Sequence, residues 1–202
     1  MTSQLGQDQW VLSMTENKTG GYFVEFGACD GVSNSNTYLL EKEHGWSGLL
    51  AEPAKCFHEA LPSNRSCRID YRCVSSSTGD TVVFMEAAEL STIKEFNLDH
   101  WSGVRNSSGI EYPVTTVSLL DLLQQHSAPK YIDYLSLDTE GSEFSILSAF
   151  DFSAYYVHLI TVEHNFTPAR EDIRDLLESK GFVYSSPSDT WDDWYVNFGQ
   201  VK

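Results

Sequence analysis

Short apolar runs alternate with amphipathic segments along most of the chain. Each run ends at a glycine or a polar residue, as buried strands do. The predicted strands are Tyr22–Gly27, Trp46–Ala51, Ser66–Ser75, Thr81–Glu86, Tyr131–Leu137, Tyr155–Val162, Phe182–Ser185 and Trp194–Phe198. The segments between them carry apolar residues at helical spacing, with polar residues that can cap them. The predicted helices are Ser35–His44, Ala54–Leu61, Val117–Gln125, Ser142–Phe150 and Ala169–Lys180.

This alternation predicts an α/β fold. Strands that alternate with helices form a Rossmann-like, doubly wound, mostly parallel sheet with helices on both faces. The last two predicted strands have no helix between them, so we expect an antiparallel strand at the C-terminal end. A length of 202 residues predicts one domain, 1–202, with residues 1–20 as an N-terminal segment. The segment Glu89–Tyr112 has the weakest periodicity and is expected to be a loop or lid.

Charge and hydropathy limit the partners and the compartment. The chain has 13 Lys and Arg against 29 Asp and Glu, a net charge of −16. Such a field repels phosphate backbones, so we expect no nucleic-acid partner. No apolar run approaches the roughly 20 residues of a membrane span, and the polar N-terminus does not resemble a signal peptide. We therefore expect a cytoplasmic protein, with a trimmed lumenal or secretory-pathway enzyme as the alternative and the oligomeric state open.

The cysteines do not form a zinc-binding pattern. Cys29, Cys56, Cys67 and Cys73 contain no CxxC pair, which argues against a zinc knuckle. A bridge between Cys56 and Cys67 is one interpretation. Free buried thiols are the favoured one for a cytosolic protein.

Acidic residues gather at the ends of the predicted strands, where ligands bind in parallel α/β sheets. Carboxylates that are brought together repel one another. They therefore need a cation, a hydroxyl-rich ligand, or both. The strand ends in question are Glu25–Gly31, Glu52–Pro53, Cys73–Ser75, Asp138–Gly141 and Glu163–Asn165.

The first two strand ends indicate a nucleoside. Gly27 and Gly31 form a G-x-x-x-G turn, which lets a ligand approach the backbone. Glu52 ends the next strand, where a carboxylate can accept both hydroxyls of a ribose. The G-x-G-x-x-G of dinucleotide binders and the P-loop lysine are missing, which disfavours NAD and ATP. S-adenosylmethionine fits, because its sulfonium cation suits an acidic protein. An ordinary tight turn followed by a surface glutamate is the alternative.

Longer motifs surround these positions. They are Gly21–Gly31, Ser35–Tyr38 with Glu41–Lys42, Gly45–Pro53, Ile132–Glu143, Val162–Asn165, and the lead-in Ser3–Gln4 with Gln7–Asp8. Together they resemble the FkbM family of S-adenosylmethionine-dependent methyltransferases. The resemblance implies the class I methyltransferase fold and, most often, O-methylation of sugars, glycans or natural-product hydroxyls. The chain departs from the family at Glu25, where Asp is frequent, and at Cys29, where Asn is common.

The resemblance also implies which residues bind the cofactor. Glu52 would hold the ribose, and Cys73 and Val74 would lie near the adenine. Asn36 and Thr37 would bind the cofactor carboxylate or simply cap the following helix. Residues 87–113 would form a loop over cofactor or substrate. The implied cofactor-binding residues are Glu25, Gly27, Ala28, Gly31, Asn36, Thr37, Glu52, Pro53, Cys73, Val74 and Asp138.

The two far strand ends carry the candidate catalytic residues His164, Asp138 and Glu163. A sugar hydroxyl is a poor nucleophile, so a general base helps. His164 is the first choice, since its imidazole is often neutral at pH 7. By similarity to catechol-type methyltransferases, Asp138, Glu163 and Asn165 could instead hold Mg or Mn. The alternative is that Asp138 touches the cofactor while Glu163 and His164 meet the substrate directly, or that His164 is structural.

The predicted function is therefore an S-adenosylmethionine-dependent O-methyltransferase. Its partner would be a small-molecule or glycan substrate with a sugar-like or polyol-like hydroxyl. Five aromatic and acidic residues could form a sugar platform or be ordinary core and turn residues; they are Trp101, Trp191, Asp192, Asp193 and Trp194. Two alternatives stay open: a nucleoside-binding module without turnover, and a nicotinamide-dependent oxidoreductase.

Overall fold

The computed structural model describes residues 3–186 and 189–199. The strands are β1 (Tyr22–Phe26), β2 (Ser47–Ala51), β3 (Arg68–Asp70), β4 (Cys73–Ser75), β5 (Thr81–Glu86), β6 (Thr92–Ile93), β7 (Ile110–Ser118), β8 (Tyr131–Leu137), β9 (Tyr156–Glu163), β10 (Phe182–Tyr184) and β11 (Asp192–Asn197). The helices are α1 (Gln7–Met14), α2 (Tyr38–His44), α3 (Ala60–Asn64), α4 (Ser102–Ser108), α5 (Leu119–Gln125), α6 (Glu143–Ala149) and α7 (Ala169–Ser179). Single 3₁₀ turns lie at Lys55–Phe57 and Lys94–Phe96.

The main sheet has seven strands in the order β10-β11-β9-β8-β1-β2-β3. Strands β1, β2, β3, β8 and β9 pair in parallel, and β11 runs antiparallel to both β9 and β10. Phe26 lies opposite Ala51 on one side and Leu137 on the other. The carboxyl ends of three central strands therefore meet at one edge. The predicted α/β class, with a mostly parallel sheet and an antiparallel C-terminal strand, is confirmed.

Both faces of the sheet are covered, as the near-continuous apolar strands predicted. Val24 and Phe26 of β1 belong to one apolar cluster, and Phe23 belongs to the cluster on the other face. Helix α5 buries Leu119, Leu122 and Leu123 in the first cluster. A fully buried leucine contributes about 1.5–3 kcal/mol. Within the described ranges, no helix combines the length and the apolar character needed to cross a membrane.

A second sheet of four strands, ordered β4-β7-β5-β6, packs beside the first and was not foreseen. The single predicted strand Ser66–Ser75 is in fact β3 and β4, which belong to different sheets. The chain turns between them because the Asp70 carboxylate accepts hydrogen bonds from both the backbone and the side chain of Arg72. The segment Glu89–Tyr112 is also ordered, since it contains β6, α4 and the start of β7.

Several predicted boundaries move by a few residues. The helix predicted from Val117 begins at Leu119, because Val117 and Ser118 finish β7. Ser118 then caps the helix by accepting the backbone N–H of Asp121. The helix predicted from Ser35 begins at Tyr38, and the helix predicted at Ala54–Leu61 is a 3₁₀ turn followed by α3. All four cysteines are free thiols, but only Cys73 is buried; Cys29 and Cys67 are half-buried and Cys56 is exposed.

Candidate active site

A cavity of about 360 Å³ opens at the edge where the strands of the main sheet end. Several predicted site residues lie on its wall: Gly27, Glu52, Pro53, Cys73, Val74, Asp138, Glu163 and Asn165. Others lie outside its lining: Glu25, Ala28, Gly31, Asn36, Thr37 and His164. The tertiary structure therefore brings the strand-end carboxylates to one cavity and leaves the start of α2 behind its wall.

Gly27 sits where the loop after β1 meets the end of β8. Its φ of 73° is in the left-handed region, and a Cβ there would lie 1.9 Å from the backbone oxygen of Asp138. Its N–H donates to the backbone oxygen of Ala51 at 3.1 Å. Only glycine permits this approach, so the loop and the two neighbouring strand ends form one compact wall.

Glu52 follows β2 and is only 3% exposed. Its Oε2 accepts the backbone N–H of Cys29 at 2.8 Å, and its Oε1 accepts that of Ala54 at 2.7 Å. Each oxygen keeps a second lone pair for a ligand hydroxyl. Burial raises the pKa of Glu52 to about 7, against the lowering effect of these two hydrogen bonds.

An apolar wall continues from Glu52 into the second sheet. Cys73, Phe84 and Ile93 pack with Ala54 in one cluster. Cys73, Phe84 and Ile93 also line the cavity, together with Val74. Such a surface suits the flat face of a purine. Phe84 and Ile93 were not singled out from the sequence, because nothing in their local pattern links β5 and β6 to this edge.

Glu25 organises the loop from behind the cavity. Its carboxylate accepts the backbone N–H of Asn36 at 2.7 Å and the hydroxyl of Thr37 at 2.5 Å. Arg65 lies 3.5 Å from it, fully buried. A Cβ on Gly31 would come within 2.6 Å of Arg65 Cγ. These residues thus form a buried network that shapes the loop, while the neighbouring residues Ser33, Asn34 and Ser35 face the cavity.

Three carboxylates meet at the far side of the cavity. Oxygens of Asp138, Glu140 and Glu163 lie within 4.8 Å of one another. Burial and then the charge of Glu140 hold the pKa of Asp138 well above its usual range, and burial and Asp138 do the same for the pKa of Glu163. Asn165 Nδ2 donates to Glu163 at 2.8 Å and to Glu140 at 3.1 Å.

Arg105 ties this cluster to the segment above it. Its side chain is fully buried and contacts Glu140 at 2.7 Å and Asp99 at 2.6 Å. Its Nε donates to the backbone oxygen of Leu90. Residues Ala88–Ser91 line the cavity. Arg105 therefore holds this part of the cavity wall against Glu140, which follows β8. Sequence reasoning missed Arg105, since a lone arginine in a polar segment is ordinarily exposed.

His164 does not face the main cavity. Its Nδ1 accepts the backbone N–H of Phe166 at 3.0 Å, and its Nε2 lies 3.5 Å from Asp193. Asp193 in turn pairs with Arg170 at 2.8 Å. The ring therefore braces the turn after β9. In that turn Asn165 and Phe166 both have positive φ, at 45° and 55°.

The mouth of the cavity is aromatic. His100, Trp101, Phe166 and Trp191 line it, and Trp191 Nε1 donates to Gln4 Oε1 at 3.1 Å. The other residues of the predicted platform are buried elsewhere: Trp194 packs against Trp10, Asp192 accepts a hydrogen bond from Gln7, and Asp193 pairs with Arg170. Only Trp101 and Trp191 of that set reach the cavity.

One protein family and several solved structures are similar to this chain. The family described as Methyltransferase FkbM domain matches residues 25–184. Among solved structures, methyltransferase FkbM from Methylobacillus flagellatus KT is similar with a TM-score of 0.56 and 13% identity over 88% of this chain. The METTL16 MTase domain gives 0.55 and 12%, covering 98% of this chain and 68% of that one. The chain spans 43% of the length of the bacterial protein. A search of curated proteins found no match.

Proposed function

The chain belongs to the FkbM family of S-adenosylmethionine-dependent methyltransferases, and on that premise we propose that it methylates a hydroxyl of a sugar, glycan or polyol-like small molecule. It has the class I methyltransferase fold. One observation carries the proposal: the Glu52 carboxylate, held at the cavity wall by the N–H groups of Cys29 and Ala54. Beside it lies Gly27, which lines the cavity and whose missing Cβ lets the loop after β1 pack against the Asp138 backbone.

The cofactor is proposed to span the cavity from the second sheet to the end of β8. Glu52 accepts the ribose hydroxyls, and Cys73, Val74 and Pro53 pack against the adenine. Gly27 and Asp138 border the methionine part, next to the Ser33–Ser35 stretch. Glu25, Asn36, Thr37, Ala28 and Gly31 then act by shaping the loop rather than by touching the ligand.

The residues mainly align the methyl donor with the hydroxyl. When bound, S-adenosylmethionine supplies a methyl on a sulfonium; the C–S bond breaks to a neutral thioether as the new C–O bond forms. When the hydroxyl oxygen is held in line with the methyl group, the activation barrier is lower, because the entropy of orientation has already been lost on binding. The hydroxyl proton must leave to a base that reaches the cavity. Asp138 and Glu163 both do, and we assign them that proton.

His164 is proposed to act by position. A base needs a free nitrogen within hydrogen-bond reach of the substrate. Nδ1 accepts the Phe166 N–H, whereas Nε2 is buried 3.5 Å from Asp193 without a hydrogen-bond partner among the described residues, and the ring does not line the cavity. A base role for His164 would require the ring to leave the Phe166 N–H and turn into the cavity.

The alternative role for the same carboxylates is to bind a divalent metal ion. Asp138 and Glu163 offer hard oxygens, as Mg and Mn prefer, and Glu140 would join them. Asn165 directs its amide nitrogen at the two glutamates, so it would serve as a ligand only through its oxygen. Bound there, an ion would lower the pKa of a hydroxyl. Calorimetric titration of the protein with Mg²⁺ and Mn²⁺ tests this choice.

Thermal denaturation with S-adenosylhomocysteine tests the donor site, because a ligand that binds only the native state raises Tm. We expect S-adenosylhomocysteine to raise Tm and NAD to leave it unchanged. A panel of neutral glycosides and polyols, assayed for release of S-adenosylhomocysteine, then tests methyl transfer. Binding without transfer to any hydroxyl would leave a nucleoside-binding module; failure to bind would overturn the proposal.

A further inference from the structure

A second cavity, of about 220 Å³, lies on the other side of the turn after β9. It shares Glu163 and Asn165 with the main cavity, so the two cavities adjoin at those side chains. It is bordered by the segment Phe96–Asp99, by the loop at Gly141 and by the start of α7. A molecule that presents a hydroxyl to Asp138 and Glu163 in the main cavity would have this space next to it.

The walls of the second cavity are apolar on one side. The apolar lining residues are Phe96, Leu98, Pro168 and Ala169. Leu98 is 86% exposed, an unusual position for a leucine unless something covers it. Phe166 of the same turn is 59% exposed at the neighbouring mouth. A ligand that covers these side chains must offer an apolar face.

The acidic residues of this cavity are already engaged by the protein. Glu143 accepts hydrogen bonds from the backbone N–H groups of Thr139 and Gly141. Asp99 pairs with Arg105 at 2.6 Å. The lining contains no lysine or arginine, and its one imidazole, that of His164, accepts the Phe166 N–H through Nδ1. The carboxylates around the cavity would repel an anionic group, and an uncharged unit fits best here.

The turn between the cavities is held in a costly conformation. Asn165 and Phe166 are consecutive non-glycine residues with positive φ. The turn is secured by the bond from Phe166 N–H to His164 Nδ1 and by the bond from Thr167 N–H to the His164 backbone oxygen at 2.8 Å. It directs Phe166 to the main cavity and Thr167 to the second. Strain of this kind persists where it positions functional groups.

We propose that the second cavity is an additional subsite for the methyl acceptor, which takes the unit attached to the methylated one, and that this unit is uncharged and presents an apolar face. A neighbouring sugar ring and a hydrophobic aglycone share that chemistry. The inference rests on the proposed function. It implies that the natural acceptor is a substituted or chain-like neutral hydroxyl compound rather than a free monosaccharide.

Matched pairs of acceptors test the subsite by turnover. Methyl and phenyl glycosides of neutral hexoses are compared with the corresponding methyl disaccharides and with the 4-carboxyphenyl glycosides, which carry a charge on the unit proposed for the second cavity. We expect kcat/KM to be about tenfold higher for phenyl glycosides or disaccharides than for methyl glycosides. A larger kcat/KM for the phenyl glycosides would show that the subsite takes an aglycone, and a larger kcat/KM for the disaccharides would show that it takes a sugar. The 4-carboxyphenyl glycosides should react worse than the phenyl glycosides.

Two variants connect that preference to the cavity. Ala169→Phe fills the space and Leu98→Ser removes an apolar wall, so each should shrink the preference severalfold. Ala149→Phe, at an exposed position of α6 outside both cavities, is the matched control and should keep it. A preference that is missing in the wild type, or unchanged in both cavity variants, would overturn the subsite.

A binding measurement separates this proposal from the proposed function. Saturation-transfer NMR of the phenyl glycosides, recorded with S-adenosylhomocysteine present, should show contact at the phenyl protons and lose it in Ala169→Phe. If no compound is methylated but this contact is seen, methyl transfer fails and the subsite stands. If methylation occurs without phenyl contact or disaccharide preference, the subsite fails and the methyltransferase stands.

Discussion

Glu52 and Cys29 are joined by a hydrogen bond of 2.8 Å from the Cys29 backbone N–H to the Glu52 carboxylate. It connects the end of β2 to the loop after β1, although the residues are far apart in the chain. The carboxylate is thereby fixed beside Gly27 before any ligand arrives. Preorganised hydrogen-bond acceptors of this kind bind without a cost of rearrangement.

Glu52→Gln should weaken S-adenosylhomocysteine binding by about 10-fold to 100-fold, since a hydrogen bond to a charged group contributes about 1.5–3 kcal/mol. The new amide would also turn a donor toward the N–H of either Cys29 or Ala54. Isothermal titration calorimetry measures the loss. Glu59→Gln, at an exposed glutamate outside the cavity, is the control. Equal affinities of the wild type, Glu52→Gln and Glu59→Gln for S-adenosylhomocysteine would show that Glu52 does not contact the ligand.

The same carboxyl predicts a pH dependence of binding. Burial raises the pKa of Glu52 to about 7, so the free protein holds it largely protonated at lower pH. Ribose hydroxyls donate better to the ionised form, and binding should tighten as pH rises through about 7. In the absence of ligand the sign is opposite: the raised folded-state pKa contributes stability at low pH that is lost as pH rises through it. Calorimetry across this range, with Glu52→Gln as a flat reference, checks both the direction and the assignment.

Gly27→Ala should disrupt the cavity wall. The methyl group would meet the Asp138 backbone oxygen at 1.9 Å, on top of an unfavourable positive φ. We expect a loss of about 2–4 kcal/mol in the free energy of unfolding and no measurable S-adenosylhomocysteine binding. Gly45→Ala has a positive φ of 64° but open space around its Cβ, so it should cost only about 1 kcal/mol. Urea denaturation of the two variants gives the comparison; similar losses would contradict the close packing at Gly27.

Arg105→Leu should loosen the cover over the cavity. It would leave Glu140 and Asp99 buried without their partner, which destabilises by about 3–5 kcal/mol. Lys94→Met breaks an exposed pair with Glu111 and should change stability by less than about 1 kcal/mol. Hydrogen exchange should show faster opening of residues 88–108 in Arg105→Leu alone. Unchanged exchange there would mean that the segment is held by other contacts.

His164→Asn and His164→Leu separate a positioning role from base catalysis. An asparagine oxygen can take the place of Nδ1 and accept the Phe166 N–H, whereas leucine cannot. We expect Asn to retain most of kcat on the best hydroxyl substrate and Leu to raise KM severalfold or more, with S-adenosylhomocysteine affinity kept in both. Abolished kcat in both variants, with an unchanged KM, would instead make His164 the base.

Local pattern explains why most elements of the main sheet could be predicted. The apolar run Tyr131–Leu137 is a strand with the same bounds in the structure. Leu119, Leu122 and Leu123 bury the face that their spacing indicated. The second sheet could not be predicted from the sequence, because its short strands carry no clear pattern of their own. β4 and β6 are two or three residues long, and they are ordered by pairing with β7 and β5 rather than by their own pattern.

The sequence by itself determined the α/β class, the family and the set of strand-end carboxylates, because periodicity and short motifs are written in neighbouring residues. Only the tertiary structure decided which side chains share a cavity. The Arg105 side chain reaches Glu140 and the Asn36 side chain donates to Ser136, through buried contacts between distant segments. His164 has the right residue type at the right strand end, yet its ring packs against Asp193. Residue type specifies what a group can do, whereas burial and neighbours select where it points.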